Sequence, residues 1–386
     1  MGKKVTIKKS GDWFYGTNSK DTVTVTAKKN VTVIGNKGND IITVKKGNNH
    51  TIYGDGETKS ESSYYNSSYT GKDTITLTGG KGHSVYAGKS ADKIYVKKGA
   101  GFSYIDGMAG NDIITVYQGA KAGTKSDYSM ISGGSGKDTI TVTNTKAKYY
   151  KIYGDDGNDT IKVTGGSYYK IQDGNWNGSD KNTISLKSVN HFEVSNSSKG
   201  SITVTKGKNG SVYAGENTAV KVYNSNSLEI TGGKIDIKTG TKAQKFTISG
   251  ETSASRTCNT NESLTIRAGY GTANLREGTD TVTIDFKNPK QIGNWDISAA
   301  ALTNNRMTVL NAASSDFTFE RKTDSHGLGI LVDADCWIIT HKSGARIILS
   351  GWSQDVEKTF DIYFKKDNMI ASSEPAQDQM WQVKPY

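Results

Sequence analysis

Residues 133–141 read GGSGKDTIT. Two glycines, a spacer, a third glycine, a spacer and Asp138 lead into an alternating Thr-Ile-Thr. The same frame recurs outward in both directions, as GNKGND (35–40), GMAGND (107–112) and GDDGND (154–159). Looser copies are GTNSKD (16–21), AGKSAD (87–92) and the interrupted GDGE…TGKD (54–73). Each Asp opens an alternating strand: Asp21-TVTV, Asp40-IITV, Asp73-TITL, Asp92-KIYV, Asp112-IITV, Asp138-TITV and Asp159-TIKV. A degenerate copy follows at Asn182-TISL. Asp21 to Asp40 and Asp73 to Asp92 are both 19 residues, and longer gaps hold insertions such as 57–70.

A second short strand completes each period, in NVTVIG (30–35), HTIYG (50–54), HSVYAG (83–88), YKIYG (150–154) and GSVYAG (210–215). Alternation with period two is the mark of a strand buried on one side. The predicted inward set is Val23/Val25, Ile42/Val44, Ile75/Leu77, Ile94/Val96, Ile114/Val116, Ile140/Val142 and Ile161/Val163 from the first strand. Val33, Ile52, Val85, Ile105, Ile131, Ile152 and Val212 come from the second. A unit this small cannot enclose a core, so the units must stack. Two strands and two turns per period make one coil of a parallel β-solenoid rising about 4.8 Å per coil. A sandwich of short antiparallel strands gives no reason for one Asp per period.

The motif matches the nonapeptide G-G-x-G-x-D-x-U-x, in which U is a large apolar residue. Over roughly residues 11–250 the chain resembles the RTX, or hemolysin-type, calcium-binding repeat family. That resemblance implies an all-β fold, a right-handed parallel β-roll, with calcium held between turns of neighbouring coils. Calcium takes six to eight oxygens from carboxylates and carbonyls. Carried over, the carboxylate ligands are Asp21, Asp40, Asp73, Asp92, Asp112, Asp138 and Asp159. Backbone carbonyls of Gly35, Gly38, Gly107, Gly110, Gly133, Gly136, Gly154 and Gly157 complete the shells. Asp173-x-Asn175-x-Asn177-Gly178 copies half of an EF-hand loop, but its twelfth position is Ile184, so it reads as a stretched repeat turn.

Composition agrees with a turned β-architecture: 44 Gly and 20 Tyr against 3 Pro, with a net charge of +11. All arginines, prolines and both cysteines, Cys258 and Cys336, lie beyond residue 250. The expected organisation is a repeat array over 1–250, a β-rich cap over 251–370 and a tail over 371–386. Within the cap, CWIITHKSGARIILSGW (336–352) reads as a hairpin turning at Ser343-Gly344 and is similar to the sequence that closes RTX β-rolls. The resemblance further implies secretion through a type I exporter by an uncleaved C-terminal signal. It fits MGKKVTIKKS, which has no apolar leader, and a sequence without a membrane-length apolar run.

No His-Glu-x-x-His, G-x-S-x-G or Walker A pattern occurs. The expected function is therefore a secreted, calcium-binding structural or adhesive module of a cell surface or matrix. Stacking also predicts surface stripes: lysines on the turn opposite the Asp row, threonines Thr43, Thr76, Thr115 and Thr141, and tyrosines Tyr53, Tyr86, Tyr153 and Tyr213. Such stripes suit an anionic polysaccharide or cell surface. The alternatives are a polysaccharide-binding or lyase/epimerase-like solenoid and, less favoured, an ice-binding threonine face.

Overall fold

The computed structural model describes residues 1–56, 70–117, 128–143, 148–173, 179–215, 217–232, 234–239, 245–249, 263–274, 281–298, 306–322, 336–350, 360–373 and 382–385. It divides into two compact units, Met1–Ser201 and Ile202–Tyr386.

In the first unit every coil contributes one strand to each of two parallel sheets. Sheet A runs from Lys4–Ile7 through Thr22–Val25, Ile41–Val44, Thr74–Leu77, Lys93–Val96, Ile113–Val116, Thr139–Thr143 and Thr160–Thr164 to Lys181–Lys187. Sheet B holds the intervening strands from Trp13–Tyr15 to Asn190–Asn196. Register is strict. Val23, Ile42, Ile75, Ile94, Ile114, Ile140, Ile161 and Ile184 form one column of sheet A. Val33, Ile52, Val85, Ile105, Ile131 and Ile152 form the facing column of sheet B. Every residue of the predicted inward set is buried. Each such side chain contributes roughly 1.5–3 kcal/mol of burial, and β-branched residues suit the pleat.

The register passes unbroken over the long gaps, since Ile42 pairs with Ile75 and Ile114 with Ile140. An insertion at a turn lengthens a loop without shifting a column, and closing a longer loop adds little entropy cost. Residues 57–69 of the predicted 57–70 insertion lie outside the described residues, as do 174–178 of the EF-hand-like stretch and Cys258.

The second unit keeps parallel pairing well past residue 250. Thr218–Tyr223, Lys234–Thr239, Ser263–Ile266, Thr281–Asp285 and Arg306–Leu310 pair in order, and Arg306–Leu310 then pairs with Phe360–Phe364. Lys208–Ala214, Asn226–Thr231, Lys245–Ser249, Gly269–Asn274 and Ile292–Ser298 make a second parallel series. The fading of the Asp motif therefore does not end the coil. What ends it is a switch to antiparallel strands. Phe317–Lys322, Cys336–His341 and Arg346–Ser350 form a meander, and Phe360–Phe364, Met369–Ser373 and Gln382–Pro385 another. The hairpin read from the sequence is the second and third strand of the first meander. Its turn is closed by hydrogen bonds from the His341 amide to the Ala345 carbonyl and from the Gly344 amide to the His341 carbonyl.

Candidate metal edge

Each repeat Asp sits where a sheet B strand turns into the next sheet A strand, with its carboxylate directed into the turn. The buried amide of one Asp donates to Oδ1 of the next along the stack. Asp21 donates to Asp40 at 2.6 Å. Asp40 to Asp73, Asp73 to Asp92, Asp92 to Asp112, Asp112 to Asp138 and Asp138 to Asp159 follow, each at 2.7 Å. One oxygen of each carboxylate is thus spent on the backbone, where an unpaired buried amide would be costly. The residue before the Asp does similar work nearer the surface. Asn39, Asn111 and Asn158 accept the amides of Lys72, Lys137 and Lys181.

The second oxygen is the informative one. Oδ2 of Asp40, Asp73, Asp92, Asp112, Asp138 and Asp159 is buried and meets no hydrogen-bond donor. A buried acceptor without a donor is destabilising, more so when charged. The glycines create these pockets. A Cβ on Gly133 would stand 2.6 Å from Asp138 Oδ2 and 2.7 Å from the Gly154 carbonyl oxygen. Gly35 and Gly107 face their own Asp Oδ2 and the next coil's carbonyl in the same way. The later glycine of the motif is needed for backbone shape: Gly136 has φ +137°, and a Cβ there would overlap the Gly110 carbonyl. Carboxylate oxygens and carbonyls therefore converge where side chains are missing.

The electrostatics agree. Burial raises the carboxyl of Asp138 to about 6, of Asp40, Asp92 and Asp159 to about 7, of Asp112 to about 8 and of Asp73 to about 9. The amide of the preceding Asp pulls each value down but does not outweigh burial. Without a cation this edge favours protonated acids. With one, the donorless oxygens find a partner, so the residue set fits a divalent oxygen-seeking ion. Among the described residues no three His, Cys, Asp or Glu cluster as a compact metal centre. Any such site takes its remaining oxygens from backbone carbonyls, as the sequence pattern anticipates.

Two of the positions differ from the rest. Asp21 has both oxygens engaged: Oδ1 accepts the Lys3 amide, and Oδ2 accepts the Thr17 amide at 2.6 Å and the Thr17 hydroxyl at 3.2 Å. At the other end, the Asp159 amide donates to Asn182 Oδ1 at 3.0 Å, and Asn182 donates on to Asn196 at 3.4 Å. Neutral amides carry their own donors, so the Asp column ends here, with one further buried carboxylate, Asp173, standing beside Gly154 and Asp159.

The opposite turn contains a device that sequence reading missed. His50 and His83 are fully buried and stacked, with ring centroids 5.1 Å apart. Nδ1 of His50 accepts the Val31 amide at 3.0 Å, and Nδ1 of His83 accepts the His50 amide at 3.3 Å. Each Nε2 faces a carbonyl, Lys46 at 3.1 Å and Gly79 at 3.0 Å, which assigns the proton to Nε2. Burial lowers the His50 value, so this cap stays neutral. The signal was present in HTIYG and HSVYAG, both of which open on histidine at the same place in the coil.

Compared with known families, the chain matches the RTX calcium-binding nonapeptide repeat in four copies, over residues 15–51, 99–120 and 151–167. These stretches include Asp21, Asp40, Asp112 and Asp159 with their turns. No curated protein and no solved structure matches the chain significantly.

Proposed function

We propose, from the premise that this chain is an RTX-repeat β-roll protein, that its Asp edge is a row of calcium sites stapling neighbouring coils. RTX nonapeptide repeats bind calcium, and here the repeat occupies a β-solenoid. The observation that carries the assignment to particular residues is the run of buried, donorless Oδ2 atoms from Asp40 to Asp159. Asp40, Asp73, Asp92, Asp112, Asp138 and Asp159 supply the charged ligands. Carbonyls of Gly35, Gly38, Gly107, Gly110, Gly133, Gly136, Gly154 and Gly157 supply the neutral ones. Asp21, already capped by Lys3 and Thr17, is the weakest member. Calcium bound to these oxygens supplies positive charge that neutralises the buried carboxylates. Because it binds only the stacked turns, it adds to folding stability.

RTX-repeat proteins are typically secreted, and the family is generally structural. We therefore read this chain as a secreted module that gains its rigidity in a calcium-rich exterior and serves a structural or adhesive role at a surface or in a matrix. Among the described residues no helix is long and apolar enough to cross a membrane. The test is circular dichroism and thermal melting of chelator-stripped protein during a calcium titration. A rise in β-signal and melting temperature supports the reading. Identical curves with and without calcium overturn it.

One observation favours a second role. Lys8, Lys9, Lys28, Lys29, Lys45, Lys46, Lys81 and Lys98 are exposed in the turns opposite the Asp row, and Lys29, Asn48 and Lys81 stand in register. Such a row attracts an anionic polysaccharide through a salt-sensitive field. Binding to an acidic glycan that weakens steeply with salt is the expected result, and salt-independent or absent binding removes this role.

A further inference from the structure

In the nonapeptide frame the second position is glycine. The first unit fills it with Thr17, Asn36, Asp55, Gly88, Met108, Gly134 and Asp155. Asn36, Met108 and Asp155 take left-handed backbone, with φ of 72°, 71° and 68°. Asp55 does not. The two acids in this column fare differently. Asp155 is exposed and accepts the Ser132 hydroxyl on Oδ2. Asp55 is buried, with 8% of its surface exposed.

The buried carboxylate is only half satisfied. Oδ2 accepts the Lys89 amide at 3.0 Å, which ties Asp55 to the turn of the following coil. The Asp55 amide donates to the Ala87 carbonyl of that same coil at 3.0 Å. Oδ1 is buried and meets no donor. Its neighbour Gly54 faces Asp73 Oδ2, which is likewise buried without a donor, and the Ala87 carbonyl oxygen. The charge of Asp55 is felt by Asp40, Asp73 and Asp92. A second buried carboxylate therefore stands between these coils, as Asp173 does beside Gly154 and Asp159, whereas Gly35, Gly107 and Gly133 each face one.

We propose that Asp55, at a position where the repeat calls for glycine, is a second charged ligand for the calcium held by Gly54 and Asp73 against the Ala87–Asp92 turn, and that this makes the site tighter than those that have a single carboxylate. The inference rests on the reading of the Asp edge as calcium sites and extends it to a ranking among them. Calcium sites are tuned over orders of magnitude by the number of charged ligands. Two carboxylates that repel each other when unliganded both gain from one divalent ion. Calcium at this site then clamps the coil that carries Asp55 to the one that follows.

The experiment is isothermal calorimetry of the full chain with calcium chloride after chelator stripping, comparing wild type with Asp55→Asn, Asp112→Asn and Asn36→Asp. Wild type is expected to show a tight class, to which the Asp55 site belongs, above a weaker one. In Asp55→Asn that site weakens by about tenfold or more, whereas Asp112→Asn leaves it in place and weakens the lower class. Asn can still accept the Lys89 amide, so Asp55→Asn is expected to melt no lower than wild type in chelator. Asn36 occupies the same motif position one coil earlier and also keeps a buried Oδ1 without a donor. Asn36→Asp is therefore expected to add a further tight site, and it carries the test alone if Asp55→Asn does not fold. Calcium binding by wild type with an unchanged tight class in both Asp55→Asn and Asn36→Asp overturns the ranking only. Absence of calcium heat in wild type overturns the calcium reading itself.

Discussion

The two units build coils in much the same way and treat buried carboxylates in opposite ways. In Met1–Ser201 the row from Asp40 to Asp159 has a bare oxygen per turn, and burial pushes its acids toward the neutral form. In the second unit Asp285 meets Arg267 at 3.1 Å, Asn311 at 2.7 Å and the Lys287 amide at 3.0 Å. Burial pulls its value up, but these three together hold it below the ordinary one. Arg267 also pairs with Asp236. One unit pairs its carboxylate with an arginine side chain, and the other leaves the Oδ2 atoms of Asp40 to Asp159 without a donor. The absence of arginine before residue 250 is the compositional trace of that choice.

The broadest way to break the comparison is pH. Folded carboxyls raised to between about 6 and about 9 hold protons that the unfolded chain, near 3.8, has already lost. Stability of the calcium-free chain is therefore greatest at acid pH and falls as pH climbs from about 4 through about 9. Melting in chelator at stepped pH should show this decline. Saturating calcium should flatten or reverse it, because the ion displaces the same protons.

Next in size is Gly136→Val. It places a branched side chain at φ +137° against the Gly110 carbonyl and should cost about 3 kcal/mol or more, with or without calcium. Smaller, and more discriminating, is a pair of carboxylate variants followed by denaturant unfolding. Asp285→Asn should lose about 1.5–3 kcal/mol in calcium and in chelator alike, since it breaks a bond to a charged partner that is always present. Asp112→Asn should be destabilising in calcium and neutral or better in chelator, because Asn still accepts the Asp92 amide and a buried charge is gone. Gly344→Ala, in the cap hairpin, should be mildest at about 1 kcal/mol, from φ +82° with open space around it.

The β-roll itself was legible because its evidence is repetition. A two-residue alternation and a recurring Asp are visible in any one-dimensional reading, and the columns from Val23 to Ile161 and from Asp40 to Asp159 follow from them. What escaped was whatever departs from the repeat. Asp55 looked like part of a degenerate copy, and no spacing announces its burial between coils. Thr17 capping Asp21 depends on where the first coil begins. His50 and His83 sit at ordinary strand positions and become a ladder only once 33 residues separating them are folded into neighbouring coils. The persistence of parallel coils beyond residue 250 was obscured because the Asp motif, not the strand pairing, had faded.

Hydrogen exchange read by mass spectrometry, with calcium and with chelator, tests the division most directly. The account predicts that calcium strongly protects amides in the turns around Asp40, Asp73, Asp112, Asp138 and Asp159 and leaves those around Arg267 and Asp285 nearly unchanged. Equal protection of both units by calcium, or none in the Asp turns, would contradict it.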